Sequence, residues 1–175
     1  MEQKISGKAY IFKDNIDTDQ IYPGRYLELT AKTDIASHCM EGVRPGFTSV
    51  LTKGGILIAG RNFGCGSSRE HAAITLKEAG VGLVIAESFA RIFFRNAINL
   101  GLPLLTCKNI SVEIHEEDML EVDLITGEIV NKASGKIYLG EGLSEFVLSI
   151  IRKGGIKPLF KEKNKKISEE CKDEF

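Results

Sequence analysis

The chain has no Cys-x-x-Cys pair, no apolar run long enough to cross a bilayer and no prevailing sign of charge. Each absence excludes something. Its four cysteines, Cys39, Cys65, Cys107 and Cys171, are far apart and irregularly placed. Structural zinc and iron–sulfur sites draw their thiolates from short paired spacings, so this chain is expected to bind no metal itself. Four scattered cysteines also make a disulfide framework unexpected. With a formal net charge of −1, nothing calls for nucleic acid or a membrane surface as a partner. A membrane-spanning helix needs about 20 consecutive apolar residues, and none is present. Met1-Glu2-Gln3-Lys4 leads into no long apolar stretch, so no secretory signal is read and the expected location is cytoplasmic. There is no internal repeat and no long linker. Residues 1–160 are therefore expected to form one domain, and the charged stretch 161–175 a frayed tail.

What the chain does have is a glycine-rich loop between an apolar strand and a helix. Ile56-Leu57-Ile58-Ala59 is short enough for a buried strand, and Ala72, Leu76 and Ala79 share one helical face. Between them lies Gly60-Arg61-Asn62-Phe63-Gly64-Cys65-Gly66-Ser67-Ser68-Arg69-Glu70-His71. Glycines let a backbone approach a ligand, and the first amides of a helix favour an anion. Ser67 and Ser68 add hydroxyls, and Arg69 adds a planar cation able to grip a carboxylate in two places. Ser67-Ser68-Arg69-Glu70 fits a capping box equally well. The stretch lacks both the third glycine of a dinucleotide fingerprint and the Gly-Lys-Ser/Thr of a phosphate loop. Cys65, beside a helix start that lowers a thiol pKa, is a conceivable nucleophile, with packing as its other reading.

Elsewhere the pattern predicts a first strand over residues 8–12, a turn-rich segment over 15–26 and a short helix over 34–42 with a structural His38. A strand over 81–85, a helix over 88–100 capped by Ser88 and a strand over 102–106 continue a parallel unit. Arg91 and Arg95 lie one turn apart on that helix, open to acids or to a partner chain. Alternating stretches over 119–124, 128–130 and 135–139 read as antiparallel strands with one wet face. Leu143, Phe146, Val147, Ile150 and Ile151 mark a last amphipathic helix.

Three motifs occur in order: Asp17-Thr18-Asp19-Gln20-Ile21, the loop running from Asn62 through Ser67-Ser68-Arg69 to Ala72, and Ser88-Phe89-Ala90-Arg91-Ile92-Phe93-Phe94-Arg95-Asn96. Together they resemble the swivel domain of the aconitase superfamily, across residues 5–160. The resemblance implies an α/β fold, a single swivelling β/β/α domain of the aconitase C-terminal type. It also implies a large-subunit partner that carries a [4Fe–4S] cluster on its own cysteines, with the active site formed between the two chains. The implied reaction is a reversible dehydration of a small malate-type dicarboxylic acid, moving a hydroxyl between adjacent carbons. Ser67 matches the catalytic base, thought to act as an alkoxide. Ser68 and Arg69 match residues that hold a substrate carboxylate, and Asp19 matches an acidic residue near the substrate.

Relatives differ in the loop after the Pro-Gly turn, here Tyr26, Leu27, Glu28, Leu29 and Thr30, which is expected to read the substrate's side group. An arginine that aconitase and homoaconitase carry there has no counterpart, and Glu28 brings the opposite charge. An isopropyl group is therefore expected, with methyl open and a carboxyalkyl group disfavoured. Two other readings stand beside this one. One is a stand-alone anion-binding module. The other is a hydrolase using Ser67 or Cys65 with His71, four residues beyond Ser67.

Overall fold

The computed structural model describes residues 4–162 and 164. Most of the expected tail, 161–175, lies outside these residues; Lys161, Glu162 and Asn164 are helical. Seven strands form one sheet: β1 (Lys4–Ile11), β2 (Ile56–Ala59), β3 (Leu83–Ala86), β4 (Leu104–Thr106), β5 (Met119–Asp123), β6 (Glu128–Asn131) and β7 (Ile137–Leu139). The helices are α1 (Thr18–Ile21), α2 (Lys32–Ser37), α3 (Phe47–Val50), α4 (His71–Glu78), α5 (Arg91–Leu100), α6 (Ile110–Glu113) and α7 (Glu145–Arg152).

The strand order is β4-β3-β2-β1-β5-β6-β7. β1 to β4 run parallel, and β5, β6 and β7 join β1 by antiparallel pairing. The sheet curls until Glu141, just beyond β7, bridges Thr106 at the end of β4. Burial follows from this layering. Every residue of β2 and β3 is buried, as suits strands covered on both faces. Leu57 and Ala59 face a core shared with α4 and α5, while Ile56 and Ile58 face the concave side with Leu120, Val122 and Ile129. In β5 only Leu120 and Val122 are buried, which is the expected one-sided alternation.

Several boundaries differ from the sequence pattern. β1 begins at Lys4, because Lys4 to Lys8 pair with β5 rather than with a parallel neighbour. α2 ends at Ser37, and residues 38–42 turn back so that the Met40 and Gly42 amides reach Ile21 and Gln20 carbonyls. Ser88 does not cap α5, which starts at Arg91; its Oγ accepts the Asn62 N–H at 2.8 Å instead.

One lysine ties three helical segments together. The Lys77 Nζ at the end of α4 donates to the Leu100 carbonyl and, at 2.9 Å, to the Gly154 carbonyl. A cation there meets the carbonyl-rich ends of α5 and α7. Lys77→Met keeps the aliphatic stem and removes both bonds. The expected loss is about 1–3 kcal/mol, read as a lower urea midpoint with an unchanged slope.

Candidate functional site

The parallel strands end side by side, and their loops continue the ladder past the sheet. The Gly64 N–H donates to the Ile16 carbonyl at 2.7 Å, Thr18 N–H to the Cys65 carbonyl at 2.8 Å and Phe63 N–H to the Ser88 carbonyl at 3.0 Å. All three loops thus gather at the carboxyl ends of β1, β2 and β3, where open α/β sheets bind ligands.

The loop after β1 is built by a capping box. The Gln20 N–H donates to Asp17 Oδ1 at 2.7 Å, and the Asp17 N–H donates to Gln20 Oε1 at 3.0 Å. The box therefore sits at Asp17–Gln20 and not at Ser67–Glu70. The helix after the glycine loop begins only at His71, with no side-chain cap. Ser67, Ser68 and Arg69 lie in irregular loop before it.

With Asp17 spent on the cap, Thr18 and Asp19 point at the glycine loop. The Ser67 N–H donates to Thr18 Oγ1 at 3.1 Å, and the two hydroxyl oxygens are 3.2 Å apart. Arg69 Nε donates to Ser67 Oγ at 2.6 Å. Arg69 Nη2 lies 3.1 Å from both Asp19 oxygens. Gly66, at φ 102°, lets the loop pass Thr18, since a Cβ there would come within 2.9 Å of Thr18 Oγ1. Ser67 and Ser68 are exposed, and Thr18 is buried beneath them. The Ser68 carbonyl accepts from Asn96 Nδ2 of α5 at 3.4 Å.

Of the residues singled out in the sequence, Ser67, Ser68, Arg69 and Asp19 come together. Two others were missed. Thr18, whose motif was noted but not its hydroxyl, is a second hydrogen-bond partner of Ser67. Gly24 donates its N–H to Asp19 Oδ1 at 3.1 Å, and a Cβ there would press to 2.9 Å from Arg69 Nη1. The Asp17-x-x-Gln20 capping pattern was the available signal for the first, and the Pro-Gly turn for the second.

The rest of the 26–30 loop starts from Gly24, beside an open depression of about 380 Å³ lined by Asp17, Asp19, Gln20, Pro23, Gly24 and Arg25. Tyr26 is half-buried, Leu27 and Leu29 are partly covered, and Glu28 and Thr30 are exposed. Arg91 and Arg95 are exposed on α5.

The nucleophile readings do not hold. Burial, with Asp17 nearby, raises the Cys65 pKa, so the thiol is not activated as the helix-start argument expected. The His71 ring stacks on Tyr22 with centroids 5.9 Å apart, and no hydrogen bond among the described residues links it to Ser67 or Cys65. Among the described residues no group of three or more His, Cys, Asp or Glu could hold a metal ion. Cys39 and Cys107 are buried in different cores, and burial pushes the Cys39 thiol up to about 12.

Residues 3–110 match the family described as aconitase C-terminal domain. The chain is 50% identical over 163 residues to the isopropylmalate/citramalate isomerase small subunit of Methanocaldococcus jannaschii, covering 93% of this chain and 97% of that protein. It is 51% identical over 156 residues to the homoaconitase small subunit of Methanothermobacter thermautotrophicus, covering 89% and 90%. It is 51% identical over 151 residues to the 3-isopropylmalate dehydratase small subunit of Clostridioides difficile, covering 86% and 93%. The crystal structure of 3-isopropylmalate dehydratase from M. jannaschii superposes with a TM-score of 0.90 at 41% identity, covering 95% of this chain and 99% of that one.

Proposed function

The chain belongs to the aconitase C-terminal domain family, and from that premise we propose that it is the small subunit of a two-chain hydro-lyase interconverting 2-isopropylmalate and 3-isopropylmalate, a reaction of leucine biosynthesis. Residues 1–160 are its swivelling unit, and the large subunit completes the site. The [4Fe–4S] cluster used by this family supplies a Lewis acid for the departing hydroxyl and is assigned to the large subunit's cysteines.

The observation that carries this reading is the Ser67 Oγ. It is exposed, yet an Arg69 Nε–H at 2.6 Å and the Thr18 hydroxyl at 3.2 Å both aim at it. Thr18 Oγ1 already accepts the Ser67 N–H, so its own proton is available for Ser67 Oγ. A serine oxygen with a cation and a hydroxyl donor in place is prepared to carry negative charge. Ser67 takes the proton from the carbon next to a substrate carboxylate and returns it when water adds back. Arg69 Nη1 and the Ser68 hydroxyl make no hydrogen bond among the described residues, and they hold that carboxylate. Asp19 keeps Arg69 in place through Nη2.

Leu27 and Leu29, beside Glu28, favour an isopropyl group over a charged one. The relative named for homoaconitase keeps the side group an experimental question. The test is reconstitution with the large subunit and an anaerobically restored cluster, following the unsaturated acid by absorbance. Turnover that prefers isopropylmalate to dimethylmalate and homocitrate is expected. Turnover on another acid would keep the chemistry and overturn the reading of residues 27–30. No turnover by an assembled complex would leave a stand-alone anion-binding module.

A further inference from the structure

Glu41 receives three hydrogen bonds from residues that border the substrate-reading loop. Tyr26 Oη donates to Oε1 at 2.6 Å, Arg25 Nη2 donates to the same oxygen at 2.8 Å, and His38 Nδ1 lies 2.5 Å from Oε2. These bonds, led by Tyr26 and then His38, hold the carboxyl down at about 2 despite some burial. An ionised carboxylate only accepts, so the proton of the short contact sits on His38 Nδ1.

Two side chains pack against the Tyr26 ring. The His38 ring stacks on it with centroids 3.6 Å apart and planes within 11°, and the Arg25 guanidinium lies 4.7 Å from its centroid. Its carbonyl accepts the Tyr22 hydroxyl at 2.7 Å, and Tyr22 is buried against His71, the first residue of α4. The turn that carries His38 and Glu41 is itself bonded to α1 through the Met40 and Gly42 amides. α1 carries Thr18 and Asp19. The loop is therefore anchored at Gly24 on Asp19 and again at Tyr26 on Glu41.

We propose that Glu41 and His38 are positioning residues that fix Tyr26 as the post of the loop, leaving Leu27, Glu28, Leu29 and Thr30 to read the substrate's side group. Tyr26 has every polar group committed and its ring packed against His38 and Arg25, so it supports the loop rather than contacting substrate. A loop held at two points presents a wall of fixed depth, and a wall of fixed depth separates an isopropyl from a methyl group. This inference rests on the proposed hydro-lyase function for its activity readout.

The experiment compares kcat/KM for isopropylmalate and its methyl homologue in the reconstituted two-chain enzyme. Tyr26→Phe and Glu41→Gln should each shrink the preference for isopropyl by about tenfold. The double variant should lose less than the product of the two single losses, because both changes act on the same Tyr26–Glu41 contact. Lys77→Met, which removes bonds to the ends of α5 and α7 and none to the loop, should leave the preference where it was. Equal losses on both acids with the preference intact, or the same shift in Lys77→Met, would overturn the proposal. If the wild-type complex turns over neither acid, the function is wrong and the clamp is read in the free subunit by proton NMR. A low-field His38 Nδ1–H resonance that Glu41→Gln abolishes would sustain the clamp. Absence of that resonance from the wild-type subunit would overturn it.

Discussion

Replacing Ser67 by alanine is expected to lower kcat of the reconstituted enzyme by about 10²- to 10⁴-fold, the size of a lost general base, and to change KM by no more than a few-fold. The substrate's carboxylate contacts stay in place, since Arg69 remains tied to Asp19 through Nη2 and Ser68 is untouched. What is lost is the oxygen that takes the proton in the chemical step, so the effect falls on turnover. The same change tests the competing capping role, because α4 begins at His71 and Ser67 caps nothing. A helix cap replaced by alanine costs about 1 kcal/mol. Here the unfolding free energy of the isolated subunit, read by urea titration, should stay within about 0.5 kcal/mol of wild type, as for an exposed loop position. Near-normal turnover in Ser67→Ala would remove the serine from the chemistry.

Local pattern carried the parts of this fold that local physics decides. β2 and β3 were legible because four-residue apolar runs that follow a glycine and end at polar or glycine residues have few other uses, and β5 and β6 because alternation marks a half-wet strand. The candidate site was legible only as motifs. Ser67 and Thr18 are 49 residues apart in sequence, and Arg69 and Asp19 are 50 apart, so no spacing rule connects them. The misplaced capping box shows why. Ser67-Ser68-Arg69-Glu70 and Asp17-Thr18-Asp19-Gln20 both satisfy the local rule. Residues 63–65 are held by bridges from Asp17 to Cys65 and from Phe63 to Phe89, which extend the β ladder and keep the next residues out of helical geometry. Tertiary pairing chose between two equally good local patterns. Tyr26 was likewise unreadable in isolation. An aromatic beside a Pro-Gly turn gives no sign of its partner, and the carboxylate of Glu41 that takes its hydroxyl lies fifteen residues on.

Arg69→Lys separates two roles that the sequence merges into one. As a bidentate carboxylate clamp, Arg69 would affect binding, and its loss would appear chiefly in KM. The structure gives it a second task, because Nε points at Ser67 Oγ while Nη2 is held by Asp19. Lysine keeps the charge but concentrates it on one nitrogen, so it can pair with Asp19 or approach Ser67, not both. Asp19 offers it two oxygens in one carboxylate, and the nearby Gly24 N–H fixes that carboxylate in place. The lysine therefore settles on Asp19 and Ser67 loses its cationic donor. Removing one donor from an oxyanion costs about 10²- to 10³-fold in turnover, here by making the ionised form of Ser67 harder to reach. The expected result for Arg69→Lys is a kcat loss of that size together with a KM raised several-fold. A rise in KM alone would make Arg69 a carboxylate clamp and leave Ser67 to depend on Thr18 and the partner chain for its activation. A fall in kcat alone would move the substrate carboxylate off Arg69 and onto Ser68 and the large subunit.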